Sequence, residues 1–316
     1  MKGLTDIPGI RVGHVSDYRA ITGCTAILCP RGAVGGVDIR GSATGTEETP
    51  VLDPGHVTPQ VHGILLAGGS AFGLEAASGV RRYLEHQGVG YNTGAAKVPI
   101  VPAAILYDLA IGQAGVRPTA AMGEAAAAAA TADAVKEGSV GAGTGATVGK
   151  ILGMRQAMKS GVGAFTVTLP GGVMVSSLAV VNAFGDVRDP ATGKILAGAR
   201  TTPEGTDFID TQEQMKRGAA GGFAVRNTTL VVVATDARLT KVQATKLAQQ
   251  AGLGMARTIY PVNTMFDGDI VFALSLGDKQ ADVNTLGVAG AEAVAESILR
   301  AVKLAKTMGG VPGLGQ

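Results

Sequence analysis

Arg226-Asn227-Thr228-Thr229-Leu230-Val231-Val232-Val233-Ala234-Thr235-Asp236 is the stretch that decides the fold. Leu230 to Val233 is an unbroken apolar, mostly β-branched run, the pattern of a buried strand. Two threonines stand at its entrance, just behind an asparagine. Further along, Thr264-Met265-Phe266-Asp267-Gly268-Asp269 leads into a second apolar run from Ile270 to Leu274. If these two strands pair, a hydroxyl at one mouth meets two carboxylates at the other. Asp267 and Asp269 alternate along an extended chain and so share a face. Each signal alone is ordinary, because threonine suits any strand and Asp-Gly suits any turn.

The surrounding chain supports one layered domain. Its 316 residues suffice for one large α/β domain or two small ones, and 46% apolar content supplies a full core. A net charge of +2 with 16% charged residues gives no electrostatic case for binding nucleic acid or a membrane surface. Cys24 and Cys29 form neither a disulfide framework nor a C-x-x-C motif. Met1 to Gly9 lacks the apolar centre of a secretion signal, and no apolar run is long enough to span a bilayer, so a soluble cytoplasmic protein is expected. The 48 glycines punctuate apolar segments, which implies tight turns and close backbone approaches rather than disorder.

Taken in order, Ile10 to Val15, Thr25 to Cys29 and His62 to Ala67 read as short strands, and Gly32 to Gly45 as a loop with strand pieces. Leu74 to His86 has helical spacing and closes at Gly88. Pro102 to Ile111 reads as a helix or turn, and Thr119 to Glu137 as an alanine-rich helix. Phe165 to Leu169 and Val173 to Val181 form a hairpin around Pro170-Gly171-Gly172. Asp186 to Asn227 lacks periodicity and reads as a long surface segment. Thr240 caps a helix to about Met255, a last helix runs from about Gly287 to Thr307, and the tail from Met308 is expected to be loose.

Two glycine clusters invite a ligand. Gly68 to Gly73 lies between a strand and a helix, which suits either an anion or a tight turn, and no P-loop lysine follows. Gly141-x-Gly143-x-x-Ala146 loosely matches a dinucleotide fingerprint, but it follows a helix where a strand is required. Lys150 closes that cluster and reads equally as solvated or partly buried. His14, His56, His62 and His86 show no metal-ligand spacing, so no metal and no cofactor is expected, and no G-x-S-x-G elbow is present. Tyr107 and Asn182 read alone as a helix tyrosine and a turn asparagine.

Several stretches together carry a resemblance: Leu4 to His14, Leu66 to Ala76, Gly141 to Gly145, Asn227-Thr228-Thr229 and Asp267-Gly268-Asp269. From near residue 4 to about residue 305 the chain resembles the self-processing peptidases typified by L-aminopeptidase/D-Ala-esterase/amidase and the β-aminopeptidases. It is also similar to their relative, the nylon-oligomer (aminohexanoate-oligomer) hydrolase. The resemblance implies an α-β-β-α sandwich like that of the N-terminal-nucleophile hydrolases, with its own connectivity. It implies a single domain, 1–316, that cuts itself between Asn227 and Thr228 into fragments 1–227 and 228–316 that stay associated. Thr228 is then the nucleophile, with Asp267 and Asp269 as the acidic pair, Lys150 as the active-site lysine, Asn182 as the oxyanion asparagine and Tyr107 as the active-site tyrosine. The aminopeptidase branch has serine where Asp267 stands, so the chain departs from that branch there. A homo-oligomer, in this family a tetramer, acting on a small peptide or amide is implied.

The chemistry is self-consistent. A threonine hydroxyl needs a nearby base, and a chain-terminal α-amine with a pKa of about 8 can serve. An exo-acting aminopeptidase and an endo-acting oligoamide hydrolase both fit. An acyltransferase of the ornithine acetyltransferase type, or a non-enzymatic anion-binding protein using the glycine loops, are the competing readings.

Overall fold

The computed structural model describes residues 2–219 and 227–316; Arg226, quoted above, lies outside the described residues. The strands of its main sheet, in chain order, are β1 (Arg11–Asp17), β2 (Thr22–Ile39), β3 (Gly45–Glu47), β4 (Val61–Ala67), β5 (Ala103–Ile105), β6 (Val162–Thr168), β7 (Met174–Asn182), β8 (Thr228–Ala237) and β9 (Ile270–Lys279). The helices are α1 (Ala76–His86), α2 (Ala120–Ala128), α3 (Thr211–Lys216), α4 (Lys241–Ala251), α5 (Leu253–Thr258) and α6 (Val283–Lys303). Among the described residues the strands run in the order β6-β7-β8-β9-β2-β4-β5-β3, with β1 on the first part of β2. No helix among these residues is long and apolar enough to cross a membrane.

Strand β2 joins two halves of this array. Its first part pairs with β1 and β4, its second part pairs with β9, and the register breaks between Leu28 and Ala33. The two halves stack face to face. Side-chain alternation along β8 makes this visible, because successive residues point to opposite faces. Leu230, Val232 and Ala234 meet Ile27, Ile64 and Leu66 of the other half in a central core. Val231 and Val233 face outward onto Leu247 and Ala248 of α4 and Val294 and Ile298 of α6. On the far side Cys24, Ala26 and Leu65 pack on Ala76 and Val80 of α1 and Ala126 of α2. The layers are therefore α-β-β-α. All ten residues of β8 are buried, as expected of a strand covered on both faces.

Most predicted elements are present, including the hairpin and the Thr240 cap, which forms a full capping box with Gln243. Five expectations are corrected. Gly32 to Gly45 is not mainly loop, since β2 continues to Ile39. Glycine is needed there for close approach: a Cβ on Gly36 would lie 2.3 Å from the Thr245 nitrogen of α4. Pro102 to Ile111 holds a buried strand, β5, parallel to β4, rather than a helix. The helix from Thr119 stops at Ala128, because β1 captures the chain through the Val12 N–H and the Thr131 carbonyl at 2.9 Å. The tail is held as well, with Gly315 N–H on Ala305 O at 2.8 Å and Val311 buried. The segment after Asp186 has more order than its sequence suggested. It contains the strands Asp186–Arg188 and Ile195–Ala197 and helix α3, and the buried Asp186 carboxylate accepts from Ala199 and Thr211.

Lys159 is fully buried, and its Nζ donates to Ala146 O and Ser160 O, both at 2.8 Å. Its backbone N–H holds the tail through Pro312 O at 2.7 Å. Burial pulls the amine down to about 7, partly offset by the Asp108 carboxylate. The folded amine thus releases its proton near pH 7, whereas an unfolded lysine keeps it to about pH 10.4. Between those values the unfolded chain binds more protons, so stability rises with pH, by up to about 1.4 kcal/mol per unit for this group. Urea midpoints should rise from about pH 7 to about pH 8, and Lys159→Met should reduce that rise; an unchanged slope in the variant would contradict the assignment.

Candidate active site

Strands β8 and β9 are parallel, with Leu230 opposite Ile270, so both begin at the same end of the sheet. Just before them Asn227 bridges Asp267. The Asn227 N–H donates to Phe266 O at 3.0 Å, and the Gly268 N–H donates to Asn227 O at 2.7 Å. On the other flank β7 is antiparallel to β8, and its last residue, Asn182, lies opposite Thr228. Three chain segments therefore converge on the peptide bond between Asn227 and Thr228. The Thr228 hydroxyl donates to the Asn227 carbonyl oxygen at 2.5 Å, and both residues are buried. Only glycine fits at 268, because a Cβ there would lie 2.8 Å from Thr228 Oγ1 and 2.7 Å from Ala43 O.

The carboxylates are fixed by donors from the same segments. Asp269 accepts the Thr229 N–H at 2.6 Å and the Asn263 N–H at 2.9 Å. Asp267 accepts the Phe184 N–H at 3.1 Å and the Thr264 hydroxyl at 2.5 Å. Burial raises the pKa of both; Asp269 is pushed up to about 7 by burial and then by the Asp267 charge. Lys150 is buried, and its Nζ donates to the Asn182 side-chain oxygen at 2.7 Å and main-chain oxygen at 3.0 Å. Burial draws this amine down to about 7, opposed mainly by Asp267. Thr147 N–H also donates to the Asn182 side-chain oxygen, at 3.1 Å.

All the residues singled out in the sequence lie in this one region, though not always in the expected manner. Asn182 ends a strand rather than occupying a turn, and its Nδ2 donates to the main-chain oxygen of Tyr107 at 3.1 Å. Tyr107 thus touches the site through its backbone, and the residue lines a small cleft with Thr147, Lys150 and Met154. Lys150 takes the buried alternative. Sequence reasoning did not find Phe266 O, Gly268 N–H or Thr264; the spacing Thr264-x-x-Asp267, which places a hydroxyl to cap a carboxylate, was the one available signal. Nor did it find Asp108, which accepts the Thr22 hydroxyl and the Gly69 N–H, both at 2.7 Å, and holds the first glycine cluster as a turn. Among the described residues no group of three His, Cys, Asp or Glu side chains is arranged to hold a metal ion.

Known proteins share this architecture. The fold is similar to that of a Burkholderia sp. β-aminopeptidase, with TM-score 0.71 and 24% identity over 99% of this chain and 91% of that one. It is also similar to an L-aminopeptidase D-Ala-esterase/amidase from Ochrobactrum anthropi, described as a variant of the Ntn hydrolase fold, with TM-score 0.73 and 20% identity over 98% and 88% of the two chains. In sequence the chain is 40% identical to a Mycobacterium tuberculosis protein described as an uncharacterized aminopeptidase, covering 99% of this chain and 96% of the relative. It is 32% identical to a 6-aminohexanoate-oligomer endohydrolase of Kocuria sp., covering 94% and 85%. The model of peptidase family S58 matches residues 2–314, and the chain belongs to that family of hydrolases acting on amide bonds.

Proposed function

We propose that the chain cuts itself between Asn227 and Thr228 and then hydrolyses small peptides or amides with Thr228 as an N-terminal nucleophile. One observation carries this reading: the Thr228 hydroxyl and the Gly268 N–H both lie on the Asn227 carbonyl oxygen. The hydroxyl oxygen attacks the Asn227 carbonyl carbon, and the Gly268 N–H holds the negative charge that develops on oxygen. A preorganised donor of this kind is worth about 3 kcal/mol. The C–N bond breaks, the Thr228 nitrogen takes the hydroxyl proton, and water hydrolyses the resulting ester. The freed α-amine, with a pKa of about 8, then serves as base for the same hydroxyl.

In turnover the hydroxyl attacks the substrate carbonyl, the substrate C–N bond breaks, and the leaving amine receives the proton; water then cleaves the acyl–Oγ ester, releasing the acid and restoring the Thr228 hydroxyl. Asp269, on the neighbouring Thr229 N–H, is positioned to orient the new amine. Lys150 balances the carboxylates and fixes Asn182. Asn182 Nδ2 gives one hydrogen to Tyr107 O and has a second with which it serves as an oxyanion donor to substrate. An endo-acting oligoamide hydrolase is the second reading, favoured by the aspartate at 267 together with Asp269 and Lys150.

On a denaturing gel the purified protein should give two bands, residues 1–227 and 228–316, the smaller beginning Thr-Thr-Leu. Thr228→Ala should give one band and no amidase activity; an intact and fully active wild-type chain would overturn the reading. Gly268→Ala should slow self-cleavage about 10²-fold or more in a gel time course, with the circular dichroism spectrum retained. Cleavage at the wild-type rate would remove Gly268 from the mechanism.

A further inference from the structure

Asn182 can serve an oxyanion only if its amide is held the right way round. Its side-chain oxygen receives Lys150 Nζ at 2.7 Å and the Thr147 N–H at 3.1 Å, and its Nδ2 gives one hydrogen to Tyr107 O at 3.1 Å. What holds two of these three partners is one buried side chain, Asp108, which the proposed chemistry does not use. Tyr107 O and the Asp108 nitrogen belong to one planar peptide unit, so anchoring Asp108 fixes the direction of that oxygen. The anchor is double: Oδ1 accepts the Gly69 N–H and Oδ2 the Thr22 hydroxyl, both at 2.7 Å. On the other side of Tyr107, Leu106 is pinned to the same stretch, its N–H on Ala67 O at 2.9 Å and its carbonyl oxygen accepting the Ser70 N–H at 3.0 Å.

The same side chain supports the second arm. A Cβ on Gly145 would lie 2.5 Å from Asp108 Cβ, and one on Gly68 would lie 2.1 Å from Asp108 Oδ2. Both glycine clusters of the sequence therefore abut this carboxylate. Gly145 stands two residues before Thr147, whose N–H is a donor to the Asn182 oxygen. The acceptor for the Asn182 nitrogen and one donor to its oxygen thus rest on Asp108.

We infer that Asp108 is a positioning residue: through Tyr107 O and the segment 145–147 it aims the Asn182 amide at the substrate oxyanion. This deepens the preceding proposal and rests on Asn182 being the oxyanion donor in turnover. Without the anchor the peptide unit after Tyr107 is free to rotate, Nδ2 follows it, and the second hydrogen loses its line to the oxyanion. Hydrogen bonds weaken steeply when misaligned, and the charge they meet here forms only in the transition state. The loss therefore falls on kcat and leaves KM nearly unchanged. Asparagine at 108 can keep both bonds, because its oxygen accepts from Gly69 and its Nδ2 donates to Thr22 Oγ1 once that hydroxyl turns. A role in fold support alone gives no dependence on Asn182.

The test is a double-mutant cycle, with rates expressed per chain cut before Thr228 as counted on a gel. The substrate is whichever of L-alanyl, β-alanyl and 6-aminohexanoyl 4-nitroanilide the wild-type protein hydrolyses fastest. Asn182→Ala should lower kcat about 10²-fold. Asp108→Ala should lower it about tenfold or more with KM within about twofold, and Asp108→Asn should recover most of that loss. Thr22→Val, which removes one anchor, should fall between wild type and Asp108→Ala. In the Asn182→Ala background neither Asp108→Ala nor Thr22→Val should lower kcat further by more than about twofold. Losses that multiply in the double variants overturn the inference and leave the oxyanion reading standing, as does a wild-type kcat in Asp108→Ala. An undiminished kcat in Asn182→Ala, or a cleaved wild type inactive on all three compounds, removes that reading and the inference with it. If Asp108→Ala does not fold, Thr22→Val carries the cycle.

Discussion

The structure depends on one pairing: two strands buried on both faces run parallel and enter the sheet from the same end. A parallel pair cannot be closed by a hairpin, so the chain must leave β8, cross through α4 and α5 and return. That crossover brings the residues before β9 beside those before β8. At this end the ladder is incomplete, and buried backbone groups need partners from elsewhere. Asp269 takes the Thr229 N–H, and the turn at 266–268 takes both polar groups of Asn227. The groups that finish the sheet are the groups available for chemistry, and fold and site are specified by the same bonds.

This accounts for what could be read in the sequence. Leu230 to Val233 and Ile270 to Leu274 announce themselves as buried strands because no charge interrupts them, and the layered class follows. Thr240 announces a helix start because its cap is local. The stretch from Gly32 misleads because a glycine that admits a helix backbone looks like one that makes a turn; only the neighbour distinguishes them, and Thr245 is far away in the chain. The tail misleads for a similar reason, since its anchors at Ala305 and Lys159 are partly remote. At the site, Asn182, Lys150 and Tyr107 were legible only through resemblance. Their isolated residue types are bland, and their meaning comes from register and depth. The Phe266 carbonyl and Gly268 N–H could not be read, because every residue carries a carbonyl and nearly every residue an N–H.

The buried charges form a second theme. Burial disfavours the ionised form of acids and amines alike, so it raises the former and lowers the latter. Lys150 and Asp269 are drawn toward about 7 from opposite sides. Burial thus weakens the preference of both groups for their charged forms, and the nearby Asp267 charge acts on the two in the same direction, raising each. Such convergence is common where protons are handled, and it belongs to the cluster rather than to one side chain. Lys159 and Asp108 act on Lys150 as well, each less than Asp267: the first opposes its charge and the second favours it.

Strand β8 lies between β7 and β9, and β9 between β8 and β2, so the C-terminal portion is sewn into the middle of the array. A nick before Thr228 leaves both flanking ladders intact and therefore does not loosen the native assembly. Its effect falls on the denatured side. Once melted, a nicked molecule becomes two polymers that diffuse apart, and reassembly turns second-order in concentration. For the chain cut as proposed, the unfolding midpoint then depends on protein concentration, as it does for a dimer.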